Sequence, residues 1–176
     1  MKSILSCLVF FVLSTFILTS CKKGDTGPQG PTGNANVMYS EWFKPDVYIK
    51  DTVFSTWGFK YNKAAPGITQ KIVDSGTVLV YGKMLGYNTL IWPANSVGQL
   101  PINLSYQSGG LQLDTWSALI SEGNVRIRFT NDHNIYASVS NAHLFRYIII
   151  PANTKVNGRA AQPSYEEICR QYNIPE

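Results

Sequence analysis

Charge is scarce in this 176-residue chain: Asp, Glu, Lys and Arg together make up 15% of it. The formal net charge is only +4, which argues against a nucleic-acid binder. Cysteine is scarcer still. Three are present, and Cys7 and Cys21 lie near the N-terminus, so the chain is no disulfide scaffold. Only two histidines occur, His133 and His143, and neither has a Cys or carboxylate partner at zinc-ligand spacing. P-loop, G-x-G-x-x-G and G-x-S-x-G motifs are missing. These absences nominate no metal, no cofactor and no catalytic residues. What is there is apolar: 44% hydrophobic and 12% aromatic residues, the composition of a folded protein.

The N-terminus carries an address. Lys2 precedes an apolar run from Ile4 to Leu18, broken only by Ser6, Ser14 and Thr15. The run is shorter than the roughly 20 residues of a membrane span and fits a secretory signal over residues 1–20. Leu18-Thr19-Ser20-Cys21 then looks like a lipobox, which predicts cleavage before Cys21 and lipidation of its thiol. Two or three acyl chains anchor stably where one does not. Lys22 and Lys23 sit where they would meet anionic headgroups or begin a solvated linker.

Residues 21–36 read as a tether. Gly24, Gly27, Gly30 and Gly33 repeat every third position, with Pro28 and Pro31 between them. That is the collagen pattern. Asn36 occupies the next glycine slot, so the repeat is short. A polyproline-type spacer, and hence a monomer, is expected ahead of a homotrimer. At about 3.1 Å per residue, residues 22–36 would span roughly 45 Å.

The stretch from Cys21 to Val37 resembles the start of small collagen-like lipoproteins of the Bacteroidota. Gly76-Thr77-Val78-Leu79-Val80-Tyr81 and Phe145-Arg146-Tyr147-Ile148-Ile149-Ile150-Pro151 are similar to that family as well. The resemblance implies an outer-membrane lipoprotein with one β-rich domain. It offers no catalytic residues. Asp51-Thr52-Val53 also fits a short O-glycosylation acceptor pattern known in that phylum, which makes Thr52 a candidate.

Residues 37–176 read as an all-β domain, a β-sandwich of eight or nine short strands. Val125, Ile127 and Phe129 alternate with Arg126, Arg128 and Thr130, the period of a half-exposed strand. Thr77–Tyr81 and Phe145–Ile150 are continuous apolar runs, as in strands covered on both faces. Further strands are expected at Val37–Phe43, Val47–Trp57, Thr89–Trp92, Ile102–Tyr106, Leu111–Trp116 and Ile135–Val139. Ser164 and Glu167 form a capping box for a helix over 164–173. Its Tyr165, Ile168, Cys169 and Tyr172 share an apolar face. A second helix is expected over Thr69–Ser75, closed by Gly76.

Chemistry is sparse in this domain. Cys169 on the apolar helix face reads as a small buried hydrophobe. Asn131-Asp132-His133-Asn134 reads as a turn, with too few carboxylates for calcium. Glu166 and Glu167 point apart on their helix and make no glycosidase pair. Arg126 and Arg128 share a strand face, with Arg146 a candidate neighbour. Large aromatics serve core packing or sugar stacking. Of Trp42, Trp57, Trp92 and Trp116, the best placed for a ligand are Trp92, before Pro93, and Trp116, opposite Leu111 and Leu113. The expectation is a non-enzymatic envelope lipoprotein for adhesion, structure or protein contact. The alternative is a glycan binder, with an envelope hydrolase a distant third.

Overall fold

The computed structural model describes residues 36–53, 55–152 and 163–176. The expected signal, the expected lipidation site at Cys21 and the Gly-X-Y repeat lie outside the described residues. The chain divides into units Met1–Thr32 and Gly33–Glu176, and the architecture below is that of the second.

Among the described residues, nine strands and two helices follow in order: β1 (Met38–Tyr39), β2 (Ile49–Val53), β3 (Thr56–Ala64), α1 (Gln70–Ser75), β4 (Thr77–Lys83), β5 (Gly98–Gln99), β6 (Ile102–Gln107), β7 (Leu111–Ser121), β8 (Asn124–Asn131), β9 (Leu144–Ile150) and α2 (Tyr165–Tyr172). They build two antiparallel sheets, ordered β1-β9-β4-β5 and β2-β3-β8-β7-β6. The expected all-β sandwich is what the chain forms.

Alternation fixes which face each strand buries. In β8, Val125, Ile127 and Phe129 point into the sandwich, and in β7 Trp116 joins them. The continuous runs are covered twice, as expected. Val78, Val80, Phe145 and Ile149 face the opposite sheet, whereas Tyr81, Ile148 and Ile150 face α2. The domain is therefore three layers deep on that side. Each aliphatic side chain so buried contributes roughly 1.5–3 kcal/mol.

Both helices start as the sequence dictates. Ser164 Oγ accepts from Glu167 N, and Glu167 accepts from Ser164 N, completing the capping box. Tyr165, Ile168 and Cys169 form the buried face of α2. Asn173 closes it in the left-handed region, at φ 54°. Thr69 caps α1. Gly76 ends α1 with extended backbone instead of a left-handed turn. Space explains the glycine: a Cβ there would lie 3.0 Å from the Ile72 carbonyl and 3.1 Å from that of Ile150.

Several expected strands need correction. Thr89–Trp92 is a turn, because the Asn88 carbonyl accepts from Ile91 and Trp92 and its side chain from Leu90. Ile135–Val139 is irregular, since Asn131 Oδ1 takes the backbone N–H groups of His133 and Ile135. Val37–Phe43 meets β9 through β1, a Ser40 N–H bond to the Tyr147 carbonyl and an isolated Phe43–Phe145 bridge. Val47–Trp57 is two strands of a hairpin, turned at Ser55 with φ 67°. The second of them runs on through Gly58 and Lys60 to Ala64.

Candidate functional site

The tryptophans occupy four different settings. On β7 the inward register holds Gln112, Asp114 and Trp116, leaving Leu111 and Leu113 outside. Trp116 is 0% exposed, with ring centroids 4.7 Å from Phe129 and 4.6 Å from His143. The candidate ligand contact at Trp116 is thus corrected to a core position, because being opposite two exposed leucines means facing in. Trp92 is half-buried in the Asn88 turn, its Nε1–H donating to the Ser96 carbonyl at 3.2 Å. A Cβ on Gly98 would lie 2.6 Å from its ring, so the glycine makes room for it. Trp42 is half-buried between Lys83 Nζ, 4.4 Å from the ring centroid, and the Arg146 guanidinium at 5.2 Å. Trp57 is 38% exposed, and Lys50 Nζ lies 3.4 Å over its ring.

The densest polar constellation among the described residues drew no expectation from the sequence. Asp114 is 0% exposed. Its Oδ2 accepts from the hydroxyls of Tyr87 at 2.8 Å, Tyr136 at 2.7 Å and Tyr106 at 3.2 Å. Asn131 Nδ2 donates to Oδ1 at 2.8 Å. Trp116 Nε1 in turn donates to the Tyr87 hydroxyl at 3.1 Å. Burial is the main cause that holds Tyr87, Tyr106 and Tyr136 above the ordinary tyrosine range. They stay protonated donors. His143 stacks on Tyr87 at 5.7 Å, and burial pushes its pKa down to about 4. A carboxylate so saturated is no free base. The network instead ties β6, β7 and β8 to the two long loops.

The inward register of Asp114 was the one available signal. An acidic residue two before an inward tryptophan has to find donors. The tyrosines supplying them come from distant segments, which local pattern does not pair.

A second cluster lies under α2. Arg146 is 2% exposed, far from Arg126 and Arg128 because β9 belongs to the other sheet. Its Nη1 donates to the Tyr165 hydroxyl at 2.7 Å and to the Pro175 carbonyl. Its carboxylate partner, Glu41, is 3.8 Å away on an exposed side chain. Burial raises the pKa of Tyr165 to about 12 and also raises that of the Cys169 thiol, which is free and buried. Cys169 sits as expected for a packing residue. Beside this cluster, Tyr81, Gln99, Pro101, Ser164 and Tyr165 line an open cleft of about 410 Å³.

A groove of about 440 Å³ opens at the other end of the hairpin strand β2. Asp46, Tyr48, Lys50, Ser138, Ser140 and Asn141 line it. Lys50 links it to the exposed ring of Trp57. Asn134 braces this corner, accepting from Trp57 N at 2.7 Å and donating to the Ser55 carbonyl at 3.0 Å. Thr52 is exposed on the edge strand β2, paired with Trp57 across the hairpin. The Asp132–His133 pair, at 2.9 Å, is exposed within the expected turn. Among the described residues no cluster of three metal-ligating side chains occurs, and no helix is long and apolar enough to cross a membrane. The chain matches no protein-family model, no curated protein and no solved structure.

Proposed function

We propose that this protein is a lipid-anchored component of a bacterial cell envelope, in the outer membrane, that displays its β-sandwich on a short collagen-like spacer and acts by contact, not by catalysis. The observation that carries the reading is Leu18-Thr19-Ser20-Cys21 directly ahead of the Gly-X-Y repeat. An anchor followed by an extended spacer is a way to hold a folded domain off a surface. The domain chemistry supports the non-enzymatic part. Asp114 has its lone pairs in use, and the imidazole of His143 is neutral and buried. Metabolic labelling with a fatty-acid analogue tests the anchor. The wild-type chain should take up label and partition with membranes, and Cys21→Ala should do neither. A wild-type chain that stays unlabelled and soluble would sink the reading.

A second reading, glycan binding, is favoured by one observation: the polar groove beside the exposed Trp57. Saccharides pair ring faces with aromatic faces and hydroxyls with polar side chains. Of the tryptophans, the one next to the groove is Trp57, so this reading moves from Trp92 and Trp116 to that corner. A glycan array probed with wild type and Trp57→Ala would test it, with loss of signal in the variant expected.

A further inference from the structure

The outer face of the five-stranded sheet is covered by neither helix in the packing described above: α2 lies on the other sheet, and Ile72 of α1 is part of the core between the sheets. The strand register makes its pattern explicit. Lys60 pairs with Arg128, and Asn62 with Arg126. Because Arg126 and Arg128 alternate with the buried Val125, Ile127 and Phe129, they share the outer face with Lys60. Neighbouring strands are about 4.8 Å apart, and residues i and i+2 about 6.8 Å. The three cations therefore form one compact patch. Asp51, on β2, is an acid on this face, and it pairs with Lys60 at 3.4 Å. Arg126 Nε donates to the neutral Asn62 side chain at 3.0 Å. Among the described residues neither arginine has a carboxylate partner within salt-bridge distance.

Arg128 is also held in a particular pose. Gly58 lies beneath it, and a Cβ there would sit 3.0 Å from Arg128 Nη2 and 3.2 Å from its Nε. The guanidinium lies flat along the sheet because β3 has no side chain at that point. Laying the fork down in advance lowers the ordering cost of binding. The next row adds neutral groups: Thr130 pairs with Thr115, and Thr115 Oγ1 donates to Asn103 Oδ1 at 3.0 Å. Leu119 and Ile49 border the patch.

We infer that this face binds an acidic polysaccharide, with Arg126, Arg128 and Lys60 taking its carboxylates and the threonine–asparagine row taking its hydroxyls. Charge complementarity selects an anion, and guanidinium forks suit planar carboxylates. A flat sheet face with hydroxyl and amide rows suits an extended chain of sugars. The inference deepens the contact role proposed above and rests on it for its biological purpose. The binding itself depends on neither the anchor nor the groove beside Trp57.

The test is calorimetry on the full-length protein extracted in detergent, with polygalacturonate as probe and neutral dextran as comparator. Polygalacturonate should bind, more weakly as salt rises, and dextran should not. Arg126→Gln with Arg128→Gln should weaken binding by about tenfold or more. Gly58→Thr keeps every charge but displaces the Arg128 side chain, and it should weaken binding severalfold. Trp57→Ala should bind as wild type does. Circular dichroism confirms that each variant is folded.

No binding of polygalacturonate would overturn the inference. An unchanged affinity in Gly58→Thr would overturn it too, by showing diffuse charge attraction. So would binding to anionic vesicles in place of the polymer, or self-association that occupies the face. Loss of binding in Trp57→Ala alone would move the site to the groove. Failure of lipid labelling with polymer binding intact would refute the anchor and leave this face standing.

Discussion

His143 is the residue at which pH should register. Burial lowers its pKa from 6.5 to about 4 in the folded protein. In the unfolded chain it takes up a proton near 6.5. Stability contributed by the neutral imidazole is therefore fully present above that value. It falls as pH drops through the window from 6.5 to about 4 and levels off below it, for a total of roughly 3 kcal/mol. Urea denaturation across this range should show the decline, and His143→Leu should flatten it. Asp114 is the second sensitive residue. Asp114→Ala takes the acceptor from the Tyr87 hydroxyl, leaves Tyr106 and Tyr136 to share one bond between them and leaves Asn131 only its longer bond to Gln112, and each unmet buried group costs about 1–3 kcal/mol. A loss above about 3 kcal/mol is expected in the same assay. Trp116→Ala, by opening a cavity at the centre of the aromatic cluster, should cost about 3–5 kcal/mol. A small loss there would contradict the core placement of its ring.

At the level of elements, α2 offers the sharpest prediction. Ser164→Ala removes half of the capping box and should destabilise by about 1 kcal/mol. Ile168→Ala removes the side chain that seats the helix on the sheet and should cost about 2–5 kcal/mol. Denaturant midpoints for the two variants would rank the cap against the docking face. This helix was legible in the sequence because its signals are local: a capping box and an apolar period of 3.6. Strands β4, β8 and β9 were legible for the same reason, through runs and alternation within seven or eight residues. The misreadings share a cause. At Asn131 the side chain, and at Asn88 the side chain together with the carbonyl, claims backbone N–H groups that a strand would give to a neighbour. Short apolar runs beside them then fold as turns. The role of Gly58 is not written locally either, since it makes room for an arginine two strand positions away in space. Of the Asp114 network, only the inward register of Asp114 itself was legible. Its members are contributed by β6, β7, β8 and two loops, and only the register brings them together.

For the whole molecule, light scattering should report a monomer whether residues 22–36 are kept or deleted. Three Gly-X-Y triplets provide little cooperative length for a triple helix. A trimer that dissociates on deletion would make the repeat an assembly element and the display multivalent. The four-stranded sheet bears on the same question from another side. Its order β1-β9-β4-β5 puts a two-residue strand at each border. Open borders of longer strands invite pairing between chains. Proteins confined to a membrane plane meet their own copies far more often than proteins in bulk solution do. If the domain is anchored as proposed, borders this blunt deny those encounters a template for sheet growth, so a membrane could carry it at high lateral density without seeding fibrils from that sheet.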